Sequence, residues 1–367
     1  MITISLCMIV KNEEAVLERL LRTMSTVADQ IVIMDTGSTD RTKEIAARYT
    51  DEVYDFPWTD DFAAARNAVC QKAVSDYWMW MDADDVMEPE QAARLKNLKE
   101  TLDPSVDVVM MKYLTGFDEN GRTSFSYYRE RILKNHKGFQ WQGRVHEAVP
   151  PAGNILYTDI EIQHRKEGAG DKDRNLRIYE TMLSQGEPLE PRHQFYYARE
   201  LYYHERYEDA VRVFRVFLQE PDGWVENKID ACLHLALCEE HLGHTEKAVE
   251  ALLKSFLYDS PRGEACCELG RMKMKEEKYR EAAYWYTQAL SSRPAEQTGA
   301  FVRKDCYGFL PSIQLCVCYD RLGDHRRAWH YHLKSQKLKP EHPSVRQNQT
   351  YFERKLKHPA EGQPSAL

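Results

Sequence analysis

The chain has 367 residues, of which 43% are hydrophobic and 11% aromatic, and its formal net charge at pH 7 is −8. This length exceeds the usual span of one hydrophobic core, so two domains are expected. The hydrophobic fraction excludes a disordered polymer. The negative charge argues against non-specific nucleic-acid binding, which needs basic surface to displace counterions.

The nine cysteines form no paired CxxC clusters. The sequence therefore indicates neither a zinc site nor a disulfide framework, and a reducing cytoplasm fits best. The longest apolar stretch, residues 4–10, is too short to cross a bilayer, and it lacks the basic segment that begins a secretory signal. We expect a cytoplasmic protein without a membrane span, in which this stretch forms the first strand.

Through about residue 115, short β-branched or aromatic runs alternate with helical patterns. This alternation predicts a mostly parallel sheet covered by helices. The predicted strands cover residues 3–10, 30–35, 52–56, 77–81 and 108–113. The predicted helices cover residues 13–23, 40–49, 62–74 and 88–98, the second of them capped by Ser38 or Thr39. Ligands of such sheets bind beyond the carboxyl ends of the strands.

After Leu114 the pattern becomes hairpin-like, with Asp118 to Gly121 predicted as a turn between two strands. A further strand over residues 155–163 ends at His164. The polar segment 166–174 is predicted to be a loop leading to a helix over residues 176–184. We place the first domain at residues 1–185.

Beyond residue 185 the sequence indicates helix pairs without strands. The elements ERYEDAV, LGHTEKAV, EEKYREAA and LGDHRRAW align on Ala210, Ala248, Ala282 and Ala328. Their spacing resembles the period of about 34 residues of tetratricopeptide repeats, with an insertion around residues 294–307. We predict such repeats over residues 186–350 and a disordered tail over 351–367; an undifferentiated helical bundle is the alternative.

The run YWMWMDADD ends an apolar strand with Asp82, Asp84 and Asp85. Carboxylates at a strand's carboxyl end can hold a hard cation such as Mg²⁺ or Mn²⁺, which would neutralise a pyrophosphate. A solvated acidic turn is the alternative. Asp35 also ends a strand, in IVIMDTGSTDRT. Because neither a GxGxxG fingerprint nor a Walker A loop is present, a dehydrogenase or a P-loop enzyme is disfavoured.

Two further segments contain candidate residues. In DDFAAARN, Arg66 could face phosphate and Asn67 a sugar hydroxyl, although a surface arginine is equally compatible. In GRVHEAV, Glu147 is the better general-base candidate and His146 an orienting or acceptor-side residue. Adjacent residues of a strand point to opposite faces, so both face one site only if the backbone is irregular. A solvated strand edge is the alternative.

Taken in order, CMIVKNEE, IVIMDTGSTDRT, DFAAARN, WMDADD, GRVHEAV and IQHR resemble the catalytic domain of family 2 glycosyltransferases. The likeness extends to lipopolysaccharide-core glycosyltransferases and to sublancin-type peptide S-glycosyltransferases, which also carry a tetratricopeptide-like region. The resemblance implies an α/β GT-A fold, a UDP-sugar donor and transfer with inversion at the anomeric carbon.

The resemblance also implies roles for individual residues. Val10 and Glu13 would bind the donor at the nucleoside, Asp35 at the base and Asp82 near the ribose. Arg66 and Ala83 would complete the donor-binding residues. Asp84 and His164 would hold the metal, with Asp85 supporting Asp84. Glu147 would deprotonate the acceptor, with His146 beside it.

The leading hypothesis is an inverting, metal-assisted glycosyltransferase that moves a sugar from a UDP-sugar to a peptide or protein acceptor. The repeats would present the acceptor or join two copies of the chain. One alternative is a polysaccharide or lipid-linked glycan as acceptor. Another is a tetratricopeptide scaffold whose transferase-like domain is inactive.

Overall fold

The computed structural model describes residues 1–117, 121, 123–167, 171–295 and 298–357. No helix in these ranges is both long and apolar enough to span a membrane. The chain divides into two compact units, Met1–Glu200 and Leu201–Leu367.

The first unit is built on one mixed sheet. Its strands are β1 (Ile4–Val10), β2 (Gln30–Asp35), β3 (Val53–Asp55), β4 (Tyr77–Trp80), β5 (Asp85–Val86), β6 (Val108–Phe117), β7 (Thr123–Lys134) and β8 (Ile155–His164). They lie in the order β3-β2-β1-β4-β7-β6-β8-β5. The first four in this order are parallel, and β7 is antiparallel to both of its neighbours. The strands predicted from alternation are therefore confirmed. Of the turn predicted between β6 and β7, residues 118–120 lie outside the described residues.

The helices of this unit are α1 (Leu17–Met24), α2 (Thr42–Ala46), α3 (Phe62–Cys70), α4 (Pro89–Thr101), α5 (Arg174–Ser184) and α6 (Pro191–Tyr203). The division between the units lies inside α6, whereas our predicted boundary near residue 185 lies between α5 and α6. That boundary stays a prediction.

Three helices are shorter than predicted because side chains bind their flanking backbone. The Glu13 N–H donates to Thr42 Oγ1, which holds the segment before α1 as a turn. The prediction that Ser38 or Thr39 caps α2 is wrong: Asp40 Oδ1 accepts the Thr42 N–H instead, and α2 begins only there. The chain leaves α3 after Cys70, and the Val74 N–H donates to the Gln30 side chain.

Both faces of β1 are buried. Leu6 and Met8 belong to a core shared with Leu17 and Leu20 of α1, whereas Cys7 faces a second core that includes Val69 of α3. A strand covered on both faces has no solvated positions, so its sequence is a continuous apolar run instead of an alternating one.

The second unit is helical. It contains α7 (Tyr207–Phe217), α8 (Val225–His241), α9 (Thr245–Lys254), α10 (Gly263–Lys275), α11 (Tyr279–Ser291), α12 (Phe309–Arg321), α13 (His325–Leu338) and α14 (Pro343–Lys357). The aligned alanines are 0% exposed at all four positions, namely Ala210, Ala248, Ala282 and Ala328. Such small buried residues let paired helices approach closely, as the repeat pattern predicted. The insertion contains β9 (Val302–Arg303) and a short 3₁₀ helix (Lys304–Tyr307).

The tail predicted from residue 351 does not begin at that residue. Residues 351–357 continue α14, because Phe352 is buried in a cluster with Cys316 and Ala328. Residues 358–367 lie outside the described residues.

The turns that precede α7, α9, α11 and α13 each contain a residue with a left-handed backbone. The φ angles are 59° at Glu205, 80° at Gly243, 56° at Glu277 and 80° at Gly323. The N–H of each following residue donates to the carbonyl oxygen five positions before it, which closes the helix end in a Schellman-like arrangement. Glycine adopts this conformation freely, whereas a side chain at the same position costs about 1–2 kcal/mol.

We expect Glu277→Gly to raise the free energy of unfolding by about 0.5 kcal/mol, because relief of the left-handed strain exceeds the entropy that glycine costs. Glu250→Gly inside α9 is the matched control and should lower it by about 1 kcal/mol. Urea unfolding measures both. The same sign at both positions would contradict the expectation.

Candidate active site

The predicted site residues meet at the carboxyl ends of β1, β2 and β4. Val10 pairs with Asp35 in the register of β1 and β2, and β4 is followed directly by Met81 and Asp82. Parallel strands end at one edge of the sheet, so three separate motifs of the sequence lie together there.

Asp35 is a fixed acceptor at this edge and is 1% exposed. Its Oδ1 accepts the N–H groups of Gly37 at 2.9 Å and Ser38 at 2.8 Å. Gly37 has a φ of 105°, which only glycine adopts readily. Asp35 Oδ2 is buried and has no hydrogen-bond partner among the described residues. One carboxylate oxygen is therefore left to accept a donor from outside the chain.

The segment after β1 is tied to the segment after β2. Asn12 has a left-handed φ of 54°, and its N–H donates to Ser38 Oγ at 2.9 Å. Its Oδ1 accepts the Thr39 N–H at 2.8 Å. These bonds place Glu13 near the acidic group that follows β4. Burial, together with the charges of Asp84 and Asp82, raises the pKa of Glu13 to about 7.

Asp85 is the anchor of that acidic group and is 0% exposed. Its Oδ2 accepts from Arg131 Nη1 at 3.0 Å and from the Asp82 N–H at 3.1 Å. Its Oδ1 accepts from the Tyr113 hydroxyl at 2.8 Å. The Arg131 guanidinium lies against the Trp80 and Tyr113 rings. Asp85 thus holds the backbone that carries Asp82 and Asp84.

Asp84 and His164 lie side by side. Their Oδ1 and Nδ1 atoms are 3.3 Å apart, and Tyr113 Oη is 3.0 Å from the same Nδ1. The β5–β8 pairing places His164 opposite Asp85, and one ligand atom from each of the three residues lies within 4.8 Å of the others. Carboxylate and imidazole donors fit Mn²⁺ or Mg²⁺.

The protonation of His164 depends on the two aspartates. Burial lowers its pKa, but hydrogen bonds to Asp84 and Asp85 outweigh burial and raise the pKa to about 10. A cation that binds to His164 and the aspartates at neutral pH must therefore displace the proton of His164.

Arg66 joins the acidic group to the predicted base. Its Nη2 donates to Asp82 Oδ1 and its Nε donates to Glu147 Oε1, each at 2.6 Å. The guanidinium lies over the Trp80 and Trp141 rings, and the side chain is 9% exposed. Burial would raise the pKa of Asp82, but Arg66 holds it at about 2. The structure thus engages Arg66 with two carboxylates.

His146 and Glu147 point to different partners. Residues 143–147 do not form a strand, and His146 has a left-handed φ of 52°. His146 Nε2 is 2.8 Å from Glu200 Oε1, and its ring stacks on Tyr196 with centroids 4.2 Å apart. The backbone is irregular, as a shared site would need, yet His146 contacts α6 while Glu147 contacts Arg66.

Gly143 is required where this loop passes α6. Its φ is 95°, and a Cβ there would clash with the His193 ring. His193 is 9% exposed. Burial, with the charges of Arg192 and His146, lowers the pKa of His193 to about 4. The loop that carries Glu147 is therefore packed on a neutral imidazole.

Sequence reasoning missed Tyr113, Arg131 and the α6 contacts. Arg131 had no distinct signal, because it directly follows two other charged residues, Arg129 and Glu130. The partners Tyr196 and Glu200 had none, because only the folded chain brings α6 to the loop.

Residues 5–155 match the model of glycosyl transferase family 2. A TPR repeat-containing protein of Synechococcus elongatus is 32% identical over 149 residues, which cover 41% of this chain and 36% of that protein. The prophage-derived glycosyltransferase SunS of Bacillus subtilis is 26% identical over 228 residues, covering 57% and 51%. The lipopolysaccharide core biosynthesis glycosyltransferase LpsC of Rhizobium meliloti is 26% identical over 152 residues, covering 39% and 56%.

The match to glycosyl transferase family 2 therefore lies within the first unit. The fold class predicted from the sequence, an α/β GT-A domain followed by tetratricopeptide-like helical repeats, is confirmed. The chain spans only about a third to a little over half of the length of these curated relatives.

We expect Arg66→Met to lower the free energy of unfolding by about 3–5 kcal/mol, because it leaves two largely buried carboxylates without a counter-charge. Adding Asp82→Asn and Glu147→Gln should restore part of that loss. Urea unfolding of the single and triple variants measures this coupling. A single-variant loss below about 1 kcal/mol would show that the bridge is not a structural ion pair.

We also expect stability to fall with acid through His193. Its folded pKa of about 4 lies below the ordinary value of about 6.5, so the unfolded chain binds the proton first as the pH falls. The advantage of the wild type over His193→Gln should shrink by about 2 kcal/mol between about pH 7 and pH 5. Urea unfolding at both values tests this, with the exposed His136→Gln as control. If His193→Gln and His136→Gln lost the same amount of stability between these pH values, His193 would not be the group that causes the loss.

Proposed function

We propose that this chain is an inverting, metal-assisted glycosyltransferase that moves a sugar from a UDP-sugar to a peptide or protein acceptor. The observation that carries the proposal is the Arg66 bridge. It joins Asp82, assigned to the donor, to Glu147, assigned to the acceptor, within one largely buried cluster. A donor and an acceptor that react directly need both groups in one site.

The donor would bind along the carboxyl edge of the sheet. Asp35 Oδ2, buried and without a partner, is suited to accept an N–H of the uracil base. Val10 and Glu13 would line the nucleoside pocket. Asp82 and the buried Ala83 would lie near the ribose.

Asp84 and His164 would hold Mg²⁺ or Mn²⁺, supported by Asp85 and Tyr113. When bound, the cation would offset negative charge on the departing diphosphate. Tyr113 donates to Asp85 and lies at hydrogen-bond distance from His164, so the chain itself orients the imidazole of this ligand set.

Glu147 would act as the general base. Its Oε1 is held by Arg66, while Oε2 accepts no hydrogen bond in the described part of the chain. The acceptor's O–H or S–H proton passes to Oε2 as its oxygen or sulfur attacks the anomeric carbon. The bond from that carbon to the diphosphate breaks, UDP leaves, and the configuration inverts. His146, which faces Glu200, would orient the loop that carries Glu147.

The likeness to sublancin-type enzymes supports a peptide acceptor, and stacked helix pairs offer a surface suited to an extended chain. The similarity to LpsC favours the second candidate, a glycan acceptor. Product on a peptide or on a glycan distinguishes them. The repeats would alternatively join two copies of the chain.

The first test is calorimetric titration of UDP into the wild type and Asp84→Asn, each with and without Mn²⁺. We expect UDP binding to need the cation and Asp84→Asn to weaken it at least about tenfold. Glu90→Gln, which removes an exposed carboxylate paired with Arg94, should bind UDP like the wild type. Absence of UDP binding under every condition would refute the UDP-sugar assignment.

A turnover assay accompanies the titration. Glu147→Gln should keep UDP binding and lose about 10²- to 10⁴-fold in release of the sugar from the donor. If the wild type binds UDP but neither hydrolyses nor transfers the sugar, the inactive-scaffold alternative takes the place of the enzyme.

A further inference from the structure

The last repeat differs in charge from the rest of the chain. Residues 321–357 contain ten arginines and lysines against three carboxylates, whereas the whole chain has a net charge of −8. The second helix of this repeat, α13, contains no aspartate or glutamate. Its counterparts α7, α9 and α11 all do, at Glu208, Asp209, Glu246, Glu250 and Glu281. The repeat architecture itself therefore does not require a basic α13.

The cations of α13 lie on one side of the helix. Positions separated by three, four, seven, eight and eleven residues share a helical face. The exposed residues with this spacing are Arg326, His330, Leu333, Lys334 and Lys337, here named the α13 face. The opposite side is 0% exposed at Ala328, His332 and Ser335. The fold thus fixes the orientation of α13 and leaves the α13 face to solvent.

The cations of the α13 face have no counter-charge in the part of the chain that the structure describes. Neighbouring cations are paired, Arg327 with Asp324 and Lys339 with Asp305. Arg326, Lys334 and Lys337 have no ion-pair partner among the described residues. Like charges three residues apart, as at Lys334 and Lys337, destabilise a helix. An anionic surface outside the chain would remove that cost.

Exposed leucines accompany these cations. Leu333, on the α13 face, is 44% exposed, and Leu322 and Leu338 beside it are 42% and 44% exposed. A polynucleotide would use the cations but gain nothing from leucines, since it binds through charge and aromatic stacking. A lipid interface uses both, because headgroups take the cations while leucines enter the acyl boundary.

We propose that the α13 face docks the chain on an anionic lipid surface. The contact is peripheral: cations meet the headgroups, and Leu333 enters the interface between them. This docking does not depend on the transferase proposal, since its residues lie in the second unit and none belongs to the candidate active site.

The test is flotation of the full chain with vesicles of phosphatidylcholine, alone or with about 30% phosphatidylserine. We expect binding only to the anionic vesicles, weakened by salt. The triple variant Arg326→Gln, Lys334→Gln and Lys337→Gln should partition about a hundredfold less, at roughly fivefold for each cation. The control variant Lys96→Gln, Lys247→Gln and Arg280→Gln removes the same charge from exposed positions elsewhere and should stay within about threefold of the wild type.

Leu333→Ser separates a lipid surface from other polyanions. It leaves the charge unchanged and should weaken vesicle binding about tenfold while leaving binding to polyuridylate unchanged. Thermal unfolding checks that each variant is folded. Equal vesicle binding by the two triple variants, or binding to polyuridylate in preference to anionic vesicles, would overturn the proposal.

Discussion

The charged Arg66 side chain is buried in the first unit, where it is 9% exposed. It forms ion pairs there with carboxylates from two segments that are distant in sequence. A guanidinium removed from water needs such partners, because no water remains to solvate it. Asp82 follows β4, and Glu147 lies on the loop after β7, so one cation holds these two segments in a fixed relation. The Trp80 and Trp141 rings close the space around it and strengthen each of these bonds.

A second buried pair supports the first. Asp85 and Arg131 are both 0% exposed, and Asp85 uses both oxygens to bind three donors. Both oxygens of Asp85, which the resemblance implied as a support for Asp84, are thus occupied by the chain itself, while its neighbour Asp84 lies beside His164. The two adjacent aspartates of one motif therefore differ in their contacts: Asp85 holds the turn, and Asp84 contacts His164.

Much of this arrangement was predictable because it is local. Strand ends, an apolar run and a recurring alanine are properties of short segments, so the sheet edge with Asp35 and Asp82 and the repeat unit could be predicted from spacing. Helix limits could not, since Thr42 and Gln30 bind backbone groups of other segments. The partners of Arg66 and His146 also depend on long-range packing. From spacing alone, an Arg66 exposed to solvent was as compatible with the sequence as an Arg66 that faces a phosphate.

Two successive residues of α3, Arg66 and Asn67, have different partners. Arg66 binds the carboxylates of Asp82 and Glu147. The Asn67 side chain accepts from the N–H of Trp141 and donates to its carbonyl oxygen, and Trp141 begins the loop that leads to Glu147. One turn of helix therefore sets both the charge opposite Glu147 and the path of the chain that delivers it. A loop of another length could not replace this one without a change in α3 as well. A change in the length of the loop therefore has to be paired with a change in α3, or has to lie farther from the Arg66 and Asn67 contacts.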